Sequence, residues 1–320
     1  MPPRSPDPGV HDAALTVLEA TALPGMSGGA AEIPPEVGAD DEAERSADRR
    51  GRRLGPIFWV SVAWIAVVIL GAIFAGALPL KSADTPLGRP GMGPGRHYLL
   101  GTDDLGRDTL ARIVYGARVS MVVGFVAIGA GLLIGGTLGL IAGYYKGRIG
   151  RFIMGCMDVL LAFPALVLAL AIITFLGQSL RNVTIAIGFL SIAPIARVIR
   201  GSTIAFADRE FVSAARALGA KDFRIITREI LPNVAVPSIS YALVGIAVAI
   251  VAEGGLAFLG LSVRAPTPSW GGMINEGRNF LARSPLISLI PAAVMFLTVL
   301  AFNFVGDSLK AWFDRRQGAL

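Results

Sequence analysis

A chain of 320 residues with 53% hydrophobic and 16% charged side chains, 39 glycines and a mean hydropathy of +0.63 is too apolar for an ordinary soluble enzyme. Its formal charge of +6 is scattered between apolar segments rather than gathered on one polar face, which argues for membrane topology and against nucleic-acid binding. The single cysteine, Cys156, excludes an intrachain disulfide.

Residues 1–53 are rich in Pro, Gly, Ala and acids and hold no apolar run long enough for a secretory signal. They read as a disordered cytosolic tail, with at most a short helix across "DAALTVLEATAL". The tail closes on "RRGRR", Arg49 to Arg53, a basic cluster suited to anionic lipid at the inner membrane face.

Crossing the hydrocarbon takes about 20 apolar residues of helix. Leu54 to Leu80 and Val119 to Tyr145 carry no charge and give the first two spans. Phe152 to Leu180 is interrupted only by Asp158, Ile230 to Val263 only by Glu253, and Ser284 to Gly306 by nothing; these hold the third, fifth and sixth. The fourth starts at Asn182 and is expected to run past Arg197 and Arg200, whose long side chains reach the interface. The expected fold class is an all-α integral membrane protein of six spans with both termini inside, because that arrangement places 19 of the 29 Lys and Arg on the inner side.

Gly131, Gly135, Gly139 and Gly143 recur every fourth residue and predict a smooth packing stripe on the second span. Pro164, Pro194 and Pro291 are expected to kink the third, fourth and sixth. On the outer side, "GTDDLGRDTLARIVYGARVS" predicts a helix after the Asp103/Asp104 turn, with Leu110, Ile113 and Val114 facing the bundle and Arg107 and Arg112 turned outward. "APTPSWGG" is excluded as regular helix by Pro266 and Pro268, and Trp270 is expected to anchor it at the interface. Both segments either receive an external protein or merely cap the bundle. Asp158 reads as structural. Glu253 reads either as lining a polar path or as hydrogen-bonded to a neighbouring helix.

The charged island "EFVSAARALGAKDFRIITREILPN" lies in the inner loop 201–233. Phe211, Ala215 and Leu218 share one face of a short helix, with Arg209, Ser213 and Arg216 turned away. Gly219 supplies the left-handed stop, Asp222 caps a second helix with a Phe223/Ile226/Ile230 stripe, and Pro232 ends it. An amphipathic helix lying on the membrane surface is the alternative, but such a helix wants a broad Leu/Phe face and this one carries alanines.

This island resembles the hallmark cytosolic loop of permease subunits of bacterial ATP-binding-cassette importers. The match is Ser213-Ala214-Ala215, Gly219, then Ile230-Leu231-Pro232, with Ser213 where the family pattern has Glu. "HYLLGTDDLGRDTLARIVYGARVS" and "GGLAFLGLSVRAPTPSWGGMI" look like segments of the dipeptide/oligopeptide/nickel group, second permease type. The resemblance implies a type I importer bundle with residues 1–53 as tail, 54–118 as first span and structured outer loop, 119–309 as the transmembrane domain carrying loop 201–233, and 310–320 as an inner C-terminal tail. It implies a non-catalytic subunit of the bacterial inner membrane that carries di- or oligopeptides, with nickel or another small solute as the alternative. The implied partners are a second permease, two ATPase domains that bind ATP and Mg, and an external substrate-binding protein. Arg209, Glu210, Phe211, Ser213, Ala214, Ala215, Leu218 and Gly219 are the implied ATPase-coupling residues, and Glu253 is the candidate path residue.

The residues agree with this division of labour. The sequence has no Gly-x-x-x-x-Gly-Lys-Ser/Thr phosphate loop, so energy has to come from another subunit. A secondary transporter would want coupling carboxylates in broken spans and no docking helix. An intramembrane metalloprotease would want His-Glu-x-x-His, whereas His11 and His97 both fall outside the spans.

Overall fold

The computed structural model describes residues 55–317, with side chains through Phe313; the acidic tail and its arginine cluster lie outside the described residues. Its helices are α1 (Pro56–Phe74), α2 (Thr109–Tyr145), α3 (Gly147–Ala162), α4 (Ala165–Leu176), α5 (Leu180–Ala207), α6 (Glu210–Ala217), α7 (Asp222–Arg224), α8 (Leu231–Phe258), α9 (Trp270–Gly277) and α10 (Leu286–Gln317). A π-helical turn, Ile225–Ile230, joins α7 to α8, and a 3₁₀ turn, Arg278–Phe280, follows α9. Among the described residues there is no β-strand, only an isolated bridge between Thr102 and Asp108.

Five helical runs are long and apolar enough to cross a membrane: α1, α2, α5, Asp222–Phe258 and Leu286–Phe313. The expected third span is α3 and α4 taken together, bent by 83° at the Pro164 break. Phe163, preceding the proline, is extended at φ −83° and ψ 137°, as the clash with the proline ring demands. Pro194 and Pro291 instead sit inside continuous helices, α5 and α10. Asp158 of α3 pairs with Arg197 of α5 at 2.5 Å, an exposed pair consistent with a structural role.

Two boundaries differ from expectation. Helix α2 starts ten residues before Val119, so the helix expected after the Asp103/Asp104 turn is continuous with the second span, and Asp108 caps it by accepting from the Leu110 amide at 3.2 Å. Helix α10 runs through the expected tail at 310 as far as Gln317.

The glycine stripe places α2 directly against α5. A Cβ added at Gly135 would sit 2.4 Å from the Ile192 carbonyl oxygen, and one at Gly139 would sit 2.6 Å from that of Ala196. At Gly131 and Gly143 it would meet Ser191 Oγ at 2.0 Å and Thr203 Cβ at 2.5 Å. Gly135, Gly139 and Gly143 meet backbone or Cβ atoms and therefore admit only hydrogen, Gly131 meets chiefly a hydroxyl that can turn, and the two helices meet with little side chain between them.

The outer loop between α1 and α2 folds back on itself through Thr102, which donates to the Arg89 carbonyl at 2.6 Å and accepts from the Met92 amide at 2.9 Å. Here the expected orientation of two arginines is overturned: Arg107 and Arg112 are buried, 4% and 1% exposed. Arg107 bonds Asp103 at 2.5 Å and Glu276 of α9 at 3.0 Å, and Arg112 reaches Glu276 at 2.8 Å and Asp103 at 3.3 Å. Guanidiniums next to these carboxylates are drawn inward, and the pairs fasten loop, α2 and α9 together. Asp103, Asp104 and Glu276 lie close enough to share a cation, but two guanidiniums already occupy the cluster. Trp270, expected at the membrane interface, is fully buried instead, its Nε1 donating to the Ile113 carbonyl at 3.0 Å. Ser269 caps α9 from its side chain, so the irregular stretch ends there and Trp270 is already helical.

Two outcomes test this architecture. Gly135→Val forces apart packed backbones and should lower stability by about 1–3 kcal/mol, whereas Gly129→Val, which faces open space, should leave thermal unfolding in detergent unchanged. Burial holds the Glu276 carboxyl above the ordinary glutamate range, although Arg112 and Arg107 pull it down. As pH falls, the folded chain thus takes up this proton before the unfolded chain does. The stabilisation is fully present below the ordinary glutamate value and is lost as pH rises through the raised one. Glu276→Gln should remove that slope from melting temperatures measured upward from about pH 4.

Candidate functional site

The charged island forms an elbow at the inner end of the bundle. Helix α6 ends in a paired hydrogen-bond motif: the Gly219 amide donates to the Arg216 carbonyl and the Ala220 amide to that of Ala215, both at 3.0 Å. This closure needs a left-handed residue, and Gly219 supplies φ +82°. Nothing lies within 4 Å of a Cβ added there, so only its backbone conformation resists substitution.

The orientation of α6 departs from the sequence reading. The buried anchor is Val212, at 0% exposed, and Ala215 and Ala220 pack beside it on the bundle. Phe211 and Leu218 point away, 38% and 89% exposed, with Ala214 exposed between them. Eight residues make only two turns, so one narrow face holds the helix and the opposite face stays free. Arg209, Glu210, Ser213 and Gly219 are exposed as well. The structure therefore gathers the candidate coupling residues on one accessible surface, with Ala215 as the exception.

Beyond the elbow, the π turn replaces the expected stripe. Phe223 is 78% exposed, while Ile225 and Ile230, five apart, are both fully buried. The Leu231 amide bonds to the Ile226 carbonyl, five residues back, and this wider turn brings every fifth side chain to the same side. It also explains why Pro232 does not end the helix. The proline removes a donor and crowds the carbonyl four residues earlier, and an adjoining π turn accommodates both effects, so the chain runs on into α8. Asp222 does not cap this helix with its side chain; it accepts a hydrogen bond from Tyr144 Oη at 2.7 Å.

On the flank of the bundle, α2, α4, α5 and α8 line a half-open cavity of about 410 Å³, with Leu166 and Val248 exposed at its rim. Its wall is almost wholly apolar, with Ser191 and Tyr241 as the polar groups and no charged side chain. Ser191 donates to the Gly188 carbonyl at 2.7 Å. Glu253 does not line this cavity. It is fully buried near the outer end of α8, where Ser262 donates to its carboxylate at 2.7 Å and Ser120 lies at 3.4 Å.

Val212, Ile225 and Tyr144 are not singled out by the sequence, whereas Ile230 is, and it is buried as a member of the expected stripe. Ile225 and Ile230 are out of phase for an α-helix, and only the Pro232 just after them hinted at an altered turn. Val212 was legible as the apolar residue one helical turn before Ala215.

Comparison with known proteins places this geometry. Residues 135–318 match the model of the family described as binding-protein-dependent transport system inner membrane component. The dipeptide transport system permease protein DppC of Alkalihalophilus pseudofirmus is 44% identical over 251 residues, 78% of this chain and 83% of that one. The glutathione transport system permease protein GsiD of Pectobacterium atrosepticum is 40% identical over 222 residues, 69% and 74% of the two chains. Among solved structures, an amino acid ABC transporter with histidines aligns at a TM-score of 0.51 and 20% identity, covering 65% of this chain and 94% of that one. The inward-facing methionine ABC transporter MetNI aligns at 0.50 and 16%, covering 61% and 93%. These two likenesses show a shared fold. Taken with the family match and the permease relatives, they place the chain among the binding-protein-dependent transport system inner membrane components, the permease subunits of ABC importers, and it belongs to that family.

Proposed function

We propose that the chain forms half of the membrane path of an ATP-driven importer of short peptides and receives force through its elbow from a separate ATPase. The single observation that carries the coupling reading is the exposed Phe211, Ala214 and Leu218 stripe, a face of small and large apolar residues opposite the buried Val212. Arg209, Glu210, Ser213 and Gly219 border it and complete the proposed contact. A compact apolar stripe rimmed by charge fits a cleft that must hold the helix and let it go. Glu210 lies one turn before Ser213, so an acid remains at that end of the helix although Ser213 itself is neutral.

The remaining assembly follows from what one chain lacks. ATP and Mg belong to two partner ATPase domains, whose closure would rock the bundle between inward and outward access. A second permease supplies the other half of the path, and an external binding protein delivers solute to the outer cap. In this reading residues 119–309 are the transmembrane domain proper and 54–118 an added span with its outer loop. Peptides are favoured over nickel by the names of the dipeptide and glutathione permeases and by the uncharged cavity, which offers a peptide chain room without a fixed ion. We place Glu253 as a fastening for the outer ends of α2 and α8 rather than as a group that meets solute.

Co-purification with the ATPase subunits tests the coupling reading. Leu218→Asp and Ala214→Asp should release the ATPase and abolish uptake while leaving the permease monodisperse; retention of both would refute the docking surface. Ala215→Asp is a poor probe, because it buries a charge against the bundle and should lower stability. Glu253→Gln keeps an acceptor oxygen for Ser262 and turns an amide N–H toward Ser120, whose hydroxyl can accept it, so peptide uptake close to wild type is expected.

A further inference from the structure

We propose that Tyr144 is a positioning residue for coupling: together with Lys146 it clasps the inner end of α2 to both shoulders of the elbow, so that a push on α6 reaches the α2/α5 pair undiminished. The proposal rests on the reading of α6 as the helix that receives force. Its evidence is the geometry around the last turn of α2.

Tyr144 Oη donates to Asp222 Oδ1 at 2.7 Å, on the far side of the Gly219 bend. Arg216, on the near side of that bend, donates to the same phenol oxygen at 3.4 Å and holds its guanidinium 5.9 Å from the ring centre. One residue past α2, Lys146 bonds both carboxylate oxygens of Asp208, at 2.6 and 2.9 Å, just before α6. Lys146 does so from a left-handed backbone at φ 43°, a conformation that a non-glycine residue keeps only where its surroundings hold it.

Val212 and Ala215 seat one narrow face of α6 on the bundle, but without these bonds its two connections to the neighbouring helices would be compliant. The helix joins α5 through Asp208 and Arg209 and α7 through Leu218, Gly219, Ala220 and Lys221, and the glycine at the bend carries no side chain to brace it, with open space where a Cβ would lie. The phenol spans that hinge, because Arg216 and Asp222 lie on opposite sides of it and both bond Tyr144. Bending at Gly219 therefore has to break a hydrogen bond to α2. The neighbouring Gly143 packs α2 on Thr203 of α5, so whatever moves Tyr144 moves both helices. A stiff joint transmits displacement, whereas a free one absorbs it.

The test uses the full importer, with its ATPase, second permease and loaded binding protein, reconstituted in vesicles. Tyr144→Phe keeps the ring but loses the hydroxyl, Asp222→Ala loses the acceptor, and Asp222→Asn retains an acceptor oxygen. Tyr144→Phe and Asp222→Ala are expected to retain the ATPase on the complex and to hydrolyse ATP at the basal rate. Uptake per ATP should fall about fivefold, the loss expected for one hydrogen bond, and Asp222→Asn should restore most of it. Wild-type uptake per ATP in Tyr144→Phe, or equal failure of Asp222→Asn and Asp222→Ala, would overturn the clasp. Docking is scored separately by ATPase retention, so either result would leave the coupling reading standing.

Discussion

The approach of α2 to α5, glycine against backbone, is the contact on which the two ends of the molecule depend. In hydrocarbon the lipid tails are as apolar as the side chains, so helices gain by touching closely rather than by leaving water. Four glycines at consecutive turns let α2 do this along its inner half. The outer half uses other faces: Gly124 packs on Ile246 of α8, and Gly116 lies beside Ser269 and Trp270 at the start of α9. One long helix thus sets the register of the bundle, presenting Arg112 to Glu276 at its outer end and Tyr144 to Asp222 at its inner end.

Much of this was legible because it follows from simple periodicities. Spans follow from uncharged length, the glycine stripe from a four-residue repeat, and the Gly219 bend from the one residue type tolerant of φ +82°. The arginines of the outer cap were misplaced because a charge is expected outside until its counter-charges are known, and Glu276 stands more than 160 residues away from both. Ala215 was grouped with Phe211 and Leu218, and Val212 passed over, because two turns of helix carry too few apolar residues to define a stripe by themselves. The π turn was invisible for a related reason: reading Phe223, Ile226 and Ile230 as a face assumes 3.6 residues per turn, and the Ile225/Ile230 spacing of five makes sense only once the turn is widened.

Charge is distributed with a consistent logic. Among the described residues the buried ion pairs gather at the outer cap, the exposed pairs Lys146–Asp208 and Arg197–Asp158 tie helices together, and the cavity wall carries none. An exposed pair contributes little to stability, so Lys146–Asp208 is better understood as fixing direction than as holding the fold. The cap is different, because its guanidiniums are desolvated and removing one partner would strand a buried charge.

That distribution bears on selectivity. A cavity walled by apolar side chains, with Ser191 already bonded to its own helix, has few fixed groups with which to prefer one solute charge over another. Discrimination by hydrogen bonding needs buried polar groups that are left unpaired by the wrong ligand, and here the buried carboxylate, Glu253, is turned away from the cavity and bonded by serines. If this cavity is part of the proposed path, selection among solutes would fall to the external protein proposed to deliver them. On the proposed coupling, the membrane path would need only to open on command, which puts the weight of the mechanism on the stiffness of the elbow and on the helix it is fastened to.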